Sequence, residues 1–289
     1  MSVERLESNY VQVAPLVELH YVEKGAGQPI LFIPGLTFSS EIFESQIDYF
    51  SKTNRVIAID PRGQGTSTKT VHGNDYATHG KDLAKLIEIL DLKDLILVGW
   101  STGNLEVWSY ISQFGKKRVK AVVTIDMSPV PLSIDPSCWV EGSLDELRTA
   151  ASEILISPKG VRDFFSEYII AVMIQRNVEE EELEYLLDIS AKTPYYICSS
   201  LFCNAVLSNY FEVAKEISET LPSIMFIAEH WSDIAETFMN ENFPGTETYI
   251  MGGHLMFYEY PEKWNKKLKD FIENIKYVKY VKYVILIQL

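Results

Sequence analysis

Short apolar runs alternate with amphipathic segments along most of the chain. The runs are rich in β-branched residues, which is typical of buried strands, and the segments between them place apolar residues at helical spacing. We predict strands at Tyr10–Val13, Leu16–Val22, Pro29–Ile33, Arg55–Ile59, Leu95–Val98, Val119–Ile125, Ser223–Ala228 and Thr246–Met251. Because strands and helices alternate, we predict an α/β fold with a mostly parallel, eight-stranded sheet that helices cover on both faces.

This alternation stops after Asp126 and returns at Ser223. Between them, residues 133–220 contain helical patterns interrupted by proline and glycine, with no obvious strand, and this stretch is longer than an ordinary connection. We therefore predict a core formed by residues 1–132 and 221–275 and a helical cap, or lid, formed by residues 133–220. Residues 276–289 contain the repeat Lys276–Val284 and are interpreted as an appended tail, with an edge strand or a partner-binding segment as the alternative.

Composition and charge limit the classes of partner. The 289 residues include 26 Lys and Arg against 40 Asp and Glu, which gives a net charge of −14. This charge disfavours binding to nucleic acid or to an anionic membrane. The first residues lack the apolar stretch of a secretory signal, and no run of apolar residues is long enough to span a bilayer. We expect a cytoplasmic protein that acts on a small molecule; a homodimer stays open.

The cysteine content also agrees with a cytoplasmic protein. The three cysteines, Cys138, Cys198 and Cys203, are an odd number and a poor disulfide framework. No histidine or further cysteine completes a metal-ligand spacing around them, so we interpret Cys198 and Cys203 as buried thiols and predict no metal.

The strongest chemical signal is Gly99-Trp100-Ser101-Thr102-Gly103, which lies between a predicted strand and a predicted helix. A serine nucleophile projects from a very tight strand-to-helix turn, and such a turn needs small residues two positions before and after the serine. The turn also directs the Thr102 N–H at a developing oxyanion. A second donor is expected from the loop that follows Pro29–Ile33, most simply the N–H of Leu36.

A serine hydroxyl needs a base to remove its proton. Five histidines are available: His20, His72, His79, His230 and His254. Only His254 follows the last predicted strand directly, in a glycine-rich loop that can reach over the carboxyl edge of the sheet. We predict His254 as the base.

Three motifs make the chain resemble the α/β-hydrolases: Gly99–Gly103, Asp60–Ser67 and Gly253-His254 followed by Glu259–Glu262. The stretch Asp75–Tyr110 is similar to the cofactor-free haloperoxidase, perhydrolase and aryl-esterase branch. The resemblance implies a Ser-His-acid triad and an acyl-enzyme, without a metal or an organic cofactor. It also implies that the Asp60–Ser67 loop and Glu259 are structural.

The sequence departs from the family at the triad acid. In most relatives this acid follows the strand that corresponds to Ser223–Ala228, but here Trp231 stands about where the aspartate is expected. Asp126, at the end of the preceding strand, occupies the alternative position that some relatives use. Asp233 and Glu229 are the other candidates. We favour Asp126 and keep all three.

The cap is rich in aromatic residues, which favours a hydrophobic acyl or aryl substrate. Trp100, Trp139 and Phe165 are the predicted substrate-binding residues. We predict a serine hydrolase of carboxylic esters or lactones, including acyl-homoserine lactones such as similar quorum-quenching hydrolases open. Perhydrolysis or halogenation is the alternative, although Thr37 stands where efficient perhydrolases often have proline. A carbon–carbon bond hydrolase and a non-catalytic ligand-binding protein remain further alternatives.

Overall fold

One sheet organises the computed structural model, which describes the backbone of residues 7–287 and the side chains of residues 7–275. Its strands are β1 (Glu7–Ala14), β2 (Val17–Lys24), β3 (Gln28–Ile33), β4 (Asn54–Ile59), β5 (Leu95–Trp100), β6 (Val119–Ile125), β7 (Ser223–Ile227) and β8 (Thr246–Ile250). Their order is β1-β2-β4-β3-β5-β6-β7-β8. β2 is antiparallel to both of its neighbours, and β3 to β8 run parallel. The predicted eight-stranded, mostly parallel sheet is confirmed.

The helices lie where the amphipathic segments predicted them. They are α1 (Glu44–Phe50), α2 (Tyr76–Ile89), α3 (Gly103–Phe114), α4 (Leu144–Thr149), α5 (Pro158–Tyr168), α6 (Glu180–Ala191), α7 (Tyr195–Val206), α8 (Phe211–Thr220), α9 (Ser232–Asn242), α10 (Met256–Glu259) and α11 (Pro261–Ile287). Every residue of β5 is buried, because helices cover both faces of the central strands. Helices α4 to α8 all lie between β6 and β7, and π-helical turns at Ala150–Ile154 and Ile169–Met173 follow α4 and α5.

The end of the chain is described only in part. The backbone of α11 runs to Ile287, but the side chains from residue 276 onward lie outside the described residues, and so does any role of the Lys276–Val284 repeat. Among the helices that the structure describes, none has both the length and the hydropathy that crossing a lipid bilayer requires.

The Asp60–Ser67 loop is held by buried polar contacts. Asp60 accepts hydrogen bonds from the backbone N–H groups of Ser40 and Thr66, both at 2.8 Å, and lies 3.0 Å from Nδ1 of His20. Arg62 forms a two-pronged ion pair with Asp82 of α2, at 2.6 and 2.7 Å. These contacts tie the loop after β4 to β2, to α2 and to Ser40, which begins the short 3₁₀ turn Ser40–Phe43 before α1.

Replacing Arg62 by methionine is expected to lower the free energy of unfolding by about 3–5 kcal/mol, because the Asp82 carboxylate would be left buried without a partner. Arg62 is 7% exposed and Asp82 is 4% exposed. Urea unfolding measures the change. The double variant R62M/D82L removes both charges and should recover much of the loss, whereas equal losses in the two variants would show that the unpaired charge is not the cause.

Candidate active site

Ser101 lies in a strained turn between β5 and α3. Its φ of 53° is in the left-handed region, and its backbone N–H donates to the carbonyl oxygen of Ile125 at 2.8 Å. The flanking glycines are sterically required: a Cβ on Gly103 would lie 2.4 Å from the Ile33 carbonyl oxygen, and one on Gly99 would lie 2.6 Å from Oδ1 of Asn104. The chain can make so tight a turn only with small residues at these positions, and strain of this kind is concentrated at functional sites.

A buried hydrogen bond joins Asp126 to His254. Oδ2 of Asp126 lies 2.7 Å from Nδ1 of His254, and Oδ1 accepts the backbone N–H of Ala228 at 2.8 Å. Asp126 is fully buried and His254 is 2% exposed. Asp126 has a φ of 48°, so the chain turns sharply at the end of β6 and directs the carboxylate toward the loop after β8. The carboxylate is therefore fixed on both oxygens, as the orienting acid of a triad would be.

Two hydrogen bonds of the His254 backbone and two aromatic rings hold the His254 loop in place. Nε1–H of Trp100, the residue before Ser101, donates to the His254 carbonyl oxygen at 2.8 Å. The His254 N–H donates to the Val172 carbonyl oxygen in the π-helical turn that follows α5. The imidazole ring packs between the rings of Trp100 and Tyr168, with centroids 5.6 and 5.7 Å away. These contacts join the nucleophile turn, the His254 loop and the helical insertion at one place.

Glu259 supports the same junction without facing the reacting groups. Its Oε1 accepts the backbone N–H groups of Gln175 and Arg176 at 3.0 and 2.9 Å, and its Oε2 accepts the Gly253 N–H at 3.3 Å. Glu259 thus ties the segment after the second π-helical turn to the residue before His254.

The other two acid candidates lie elsewhere. Glu229 accepts the Gly252 N–H at 3.2 Å and the side-chain amide of Gln175 at 3.1 Å. Asp233 is exposed in the first turn of α9. Of the three candidates, the structure brings Asp126 to His254.

Two backbone N–H groups next to Ser101 are free to donate. A Cβ on Gly35 would lie 2.8 Å from Cβ of Ser101, so the loop after β3 approaches Ser101 closely. Within the part of the chain that the structure describes, the N–H groups of Leu36 and Thr102 form no hydrogen bond. Both residues line the cavity at Ser101. Unpaired backbone N–H groups of this kind are the donors that can stabilise an oxyanion.

A cavity of about 510 Å³ opens at Ser101 under the helices of the insertion. Its walls are mainly apolar and aromatic, and they include the predicted residues Trp100 and Phe165 together with Met127, Phe164, Tyr168 and Phe202. Trp139 corrects the predicted substrate-binding set: it is fully buried, does not line the cavity, and packs against Trp231 at 6.3 Å. The aromatic pattern of the insertion predicted burial, but it does not distinguish a wall of the cavity from the interior behind it.

Glu141 is a cavity residue that the sequence analysis missed. Its Oε1 accepts the backbone N–H of Ser128 at 2.8 Å. Burial, together with the nearby Asp126 carboxylate, raises the pKa of Glu141 to about 7. A single acid within an amphipathic insertion has the pattern of a solvent-facing residue, so no sequence signal could have identified it.

The described side chains include no cluster of three or more His, Cys, Asp or Glu residues that could hold a metal ion. The three cysteines are free thiols. Burial raises the pKa of Cys198 to about 12, so this thiol is unreactive at neutral pH.

Comparisons with known proteins agree with this architecture. A family model described as the alpha/beta hydrolase fold matches residues 28–160. A non-heme haloperoxidase of Rhodococcus erythropolis is 36% identical over 134 residues, which are 46% of this chain and 48% of that protein. A bifunctional esterase/perhydrolase of Acinetobacter calcoaceticus is 33% identical over 128 residues, or 43% of this chain and 46% of that protein. The chain thus spans less than half the length of these curated relatives.

The structural comparison extends over nearly the whole chain. The crystal structure of a bromoperoxidase from Bacillus anthracis superposes with a TM-score of 0.81 at 23% identity, covering 92% of this chain and all of that one. The chain is an α/β-hydrolase-fold protein. Its resemblance to the haloperoxidase and perhydrolase branch is confirmed by the sequence relatives.

Proposed function

We propose that the chain is a serine hydrolase that cleaves carboxylic esters or lactones with an apolar acyl part. The observation that carries the proposal is the 2.7 Å hydrogen bond between Asp126 and His254, formed where Trp100 links the His254 loop to the Ser101 turn. A carboxylate–imidazole pair fixed next to a strained serine is the arrangement that activates a hydroxyl nucleophile.

The proposed reaction has two halves. Oγ of Ser101 attacks the acyl carbonyl carbon while His254 takes its proton, and the N–H groups of Leu36 and Thr102 stabilise the negative charge on the carbonyl oxygen. His254 then gives the proton to the leaving alcohol oxygen as the ester bond breaks. Water, deprotonated by His254, hydrolyses the acyl-enzyme, and Ser101 recovers its proton. Asp126 holds the imidazole in the productive tautomer throughout.

The cavity favours hydrophobic substrates, with residues 133–220 acting as a lid. Its aromatic walls suit aryl or acyl groups better than sugars. Aryl and short-acyl esters come first in this proposal, and lactones come next. Acyl-homoserine lactones are included because an apolar chain fits these walls, and opening them would make the protein a quorum-quenching enzyme.

Perhydrolysis is the second candidate, because the matched relatives include a haloperoxidase and an esterase/perhydrolase. Thr37 argues against it. Its φ is 68° and its N–H donates to Oε1 of Gln64 at 2.9 Å. Proline, which efficient perhydrolases often carry at this position, can neither adopt that φ nor donate that bond. Hydrolysis is therefore the favoured reaction of this cavity.

We propose the cytoplasm as the compartment, which the free thiols of all three cysteines support. A small-molecule substrate, no requirement for a cofactor and no nucleic-acid partner belong to the same proposal. A homodimer is included as the assembly state, and analytical ultracentrifugation tests it.

Covalent labelling tests the proposed nucleophile. A fluorophosphonate should add to the wild-type protein once, and peptide mass mapping should locate the adduct on Ser101, because only an activated serine reacts at a useful rate. The S101A variant should stay unlabelled. A panel of nitrophenyl esters and lactones, with and without a homoserine head group, then ranks the substrates. A label elsewhere, or no label, would contradict the serine-hydrolase proposal and favour the ligand-binding or carbon–carbon hydrolase alternatives.

A further inference from the structure

Glu141 lines the cavity that opens at Ser101, and it interacts electrostatically with His254. One oxygen, Oε1, is bound by the N–H of Ser128, which stands two residues after Asp126. No donor among the described residues binds the other oxygen, Oε2, and Glu141 lines the same cavity as Ser101. Electrostatic interactions connect Glu141 with Asp126, His254 and Tyr168. This carboxyl group therefore lines the cavity that contains Ser101 and has one oxygen without a protein donor.

The charges around the cavity all have the same sign. Three of its lining residues are acidic, namely Glu141, Asp145 and Glu146, and none of the lining residues is Lys, Arg or His. The contacts of Glu146 and Asp145 distinguish these two acids from Glu141. Glu146 closes a capping box with Ser143 at the start of α4, and Asp145 is exposed with its nearest cation, Arg148, 3.9 Å away. Glu141 is the acid of the three that interacts electrostatically with Asp126 and His254.

The leaving alcohol would have to bind where the imidazole of His254 can give its oxygen a proton. Tyr168 packs on the His254 ring and also lines the cavity. An aromatic ring beside a carboxylate is a combination that binds cations, since both attract positive charge. A substrate carboxylate at the same place would be repelled.

We propose that Glu141 is a specificity-determining residue that selects substrates by the charge of the leaving alcohol. It favours esters whose alcohol carries a cation or a hydrogen-bond donor, and it disfavours esters whose alcohol carries a carboxylate. This inference rests on the proposed hydrolase function and adds the substrate class to it.

A matched pair of esters isolates the effect of charge. Butyrylcholine and 3,3-dimethylbutyl butyrate have the same shape and differ by one positive charge on the alcohol. We expect wild type to prefer the choline ester in kcat/KM by about tenfold at pH 8, the size of one favourable charge contact. Because the two esters share the same catalytic steps, the pH dependence of those steps cancels in the ratio.

The preference should also depend on pH. The pKa of Glu141 is raised to about 7, so its side chain is mostly ionised at pH 8 and mostly protonated at pH 6. Neither ester titrates in this range. We expect the preference to fall from about tenfold at pH 8 to about twofold at pH 6. Asp126, His254 and Tyr168 are the other titratable groups that interact electrostatically with Glu141.

Two variants separate Glu141 from the general acidity of the cavity. E141Q keeps an oxygen that can accept the Ser128 N–H, and it should reduce the ratio to about one and make it independent of pH. D145N removes the same charge from the rim and should leave the ratio within about twofold of wild type.

The outcomes distinguish this inference from the function on which it rests. An unchanged ratio in E141Q, or hydrolysis of the neutral ester alone, overturns the role of Glu141 and leaves the proposed hydrolase standing. No Ser101-dependent hydrolysis of any ester overturns both. If E141Q does not fold, the wild-type ratio decides, because a ratio that is flat between pH 6 and pH 8 also overturns the inference.

Discussion

Replacing Ser101 by alanine is expected to lower kcat for ester hydrolysis about 10⁶-fold while the protein stays folded. The variant keeps the N–H groups of Leu36 and Thr102, but it lacks the oxygen that forms the acyl-enzyme. Its residual rate would come from binding and oxyanion stabilisation alone. Stopped assays on nitrophenyl butyrate at high protein concentration measure the loss, and thermal unfolding verifies the fold.

A matched serine provides the control for this prediction. Ser109 lies on α3, the helix that Ser101 precedes, and its buried hydroxyl lies 2.9 Å from the side-chain amide of Gln113, away from the cavity. S109A should therefore keep activity within a fewfold of wild type. Retention of wild-type activity in S101A would mean that another residue is the nucleophile and would remove the basis of the proposed mechanism.

The approximate positions of the strands could be predicted because buried parallel strands are nearly continuous apolar runs. The runs Leu95–Val98 and Val119–Ile125 correspond to β5 and β6, and the glycines at positions 99 and 103 marked the turn that holds Ser101. Local sterics dictate all of these features, so the sequence carries them directly.

The spacing of residues along the sequence does not identify which acid contacts His254. Asp126, Asp233 and Glu229 each follow a strand of the same sheet, and the choice depends on which loop bends toward His254 in three dimensions. In the structure the left-handed φ of Asp126 and the bond from Ala228 direct its carboxylate. Neither the backbone bend nor a contact across 102 residues can be deduced from a pattern of residue types.

The sequence also does not show which residues line the cavity. Trp139 and Phe165 share the same apolar character, yet Phe165 lines the cavity and Trp139 lies behind it. Glu141 shows the opposite error. An acidic residue in a helical insertion is expected to face solvent, but Glu141 lines the cavity. Its position depends on the bond with Ser128, 13 residues earlier in the chain.

Replacing Asp126 by asparagine is expected to lower kcat about 10⁴-fold while the protein stays folded. The reason is that both carboxylate oxygens of Asp126 have a hydrogen-bond partner. Oδ1 accepts the N–H of Ala228, so an asparagine would keep its oxygen there and turn its NH₂ group toward Nδ1 of His254. Nδ1 would then have to be unprotonated, which leaves the proton on Nε2, where the imidazole can no longer accept one from Ser101.

The other two acid candidates supply isosteric controls for Asp126→Asn. D233N and E229Q should retain activity within a fewfold of wild type, because Asp233 is exposed and a glutamine at position 229 can still accept the Gly252 N–H. Near-normal turnover in D126N together with a large loss in either control would transfer the acid role to that residue. It would also require the loop after β7 to rearrange, since in this structure the Asp126 carboxylate accepts the hydrogen bond from Nδ1 of His254.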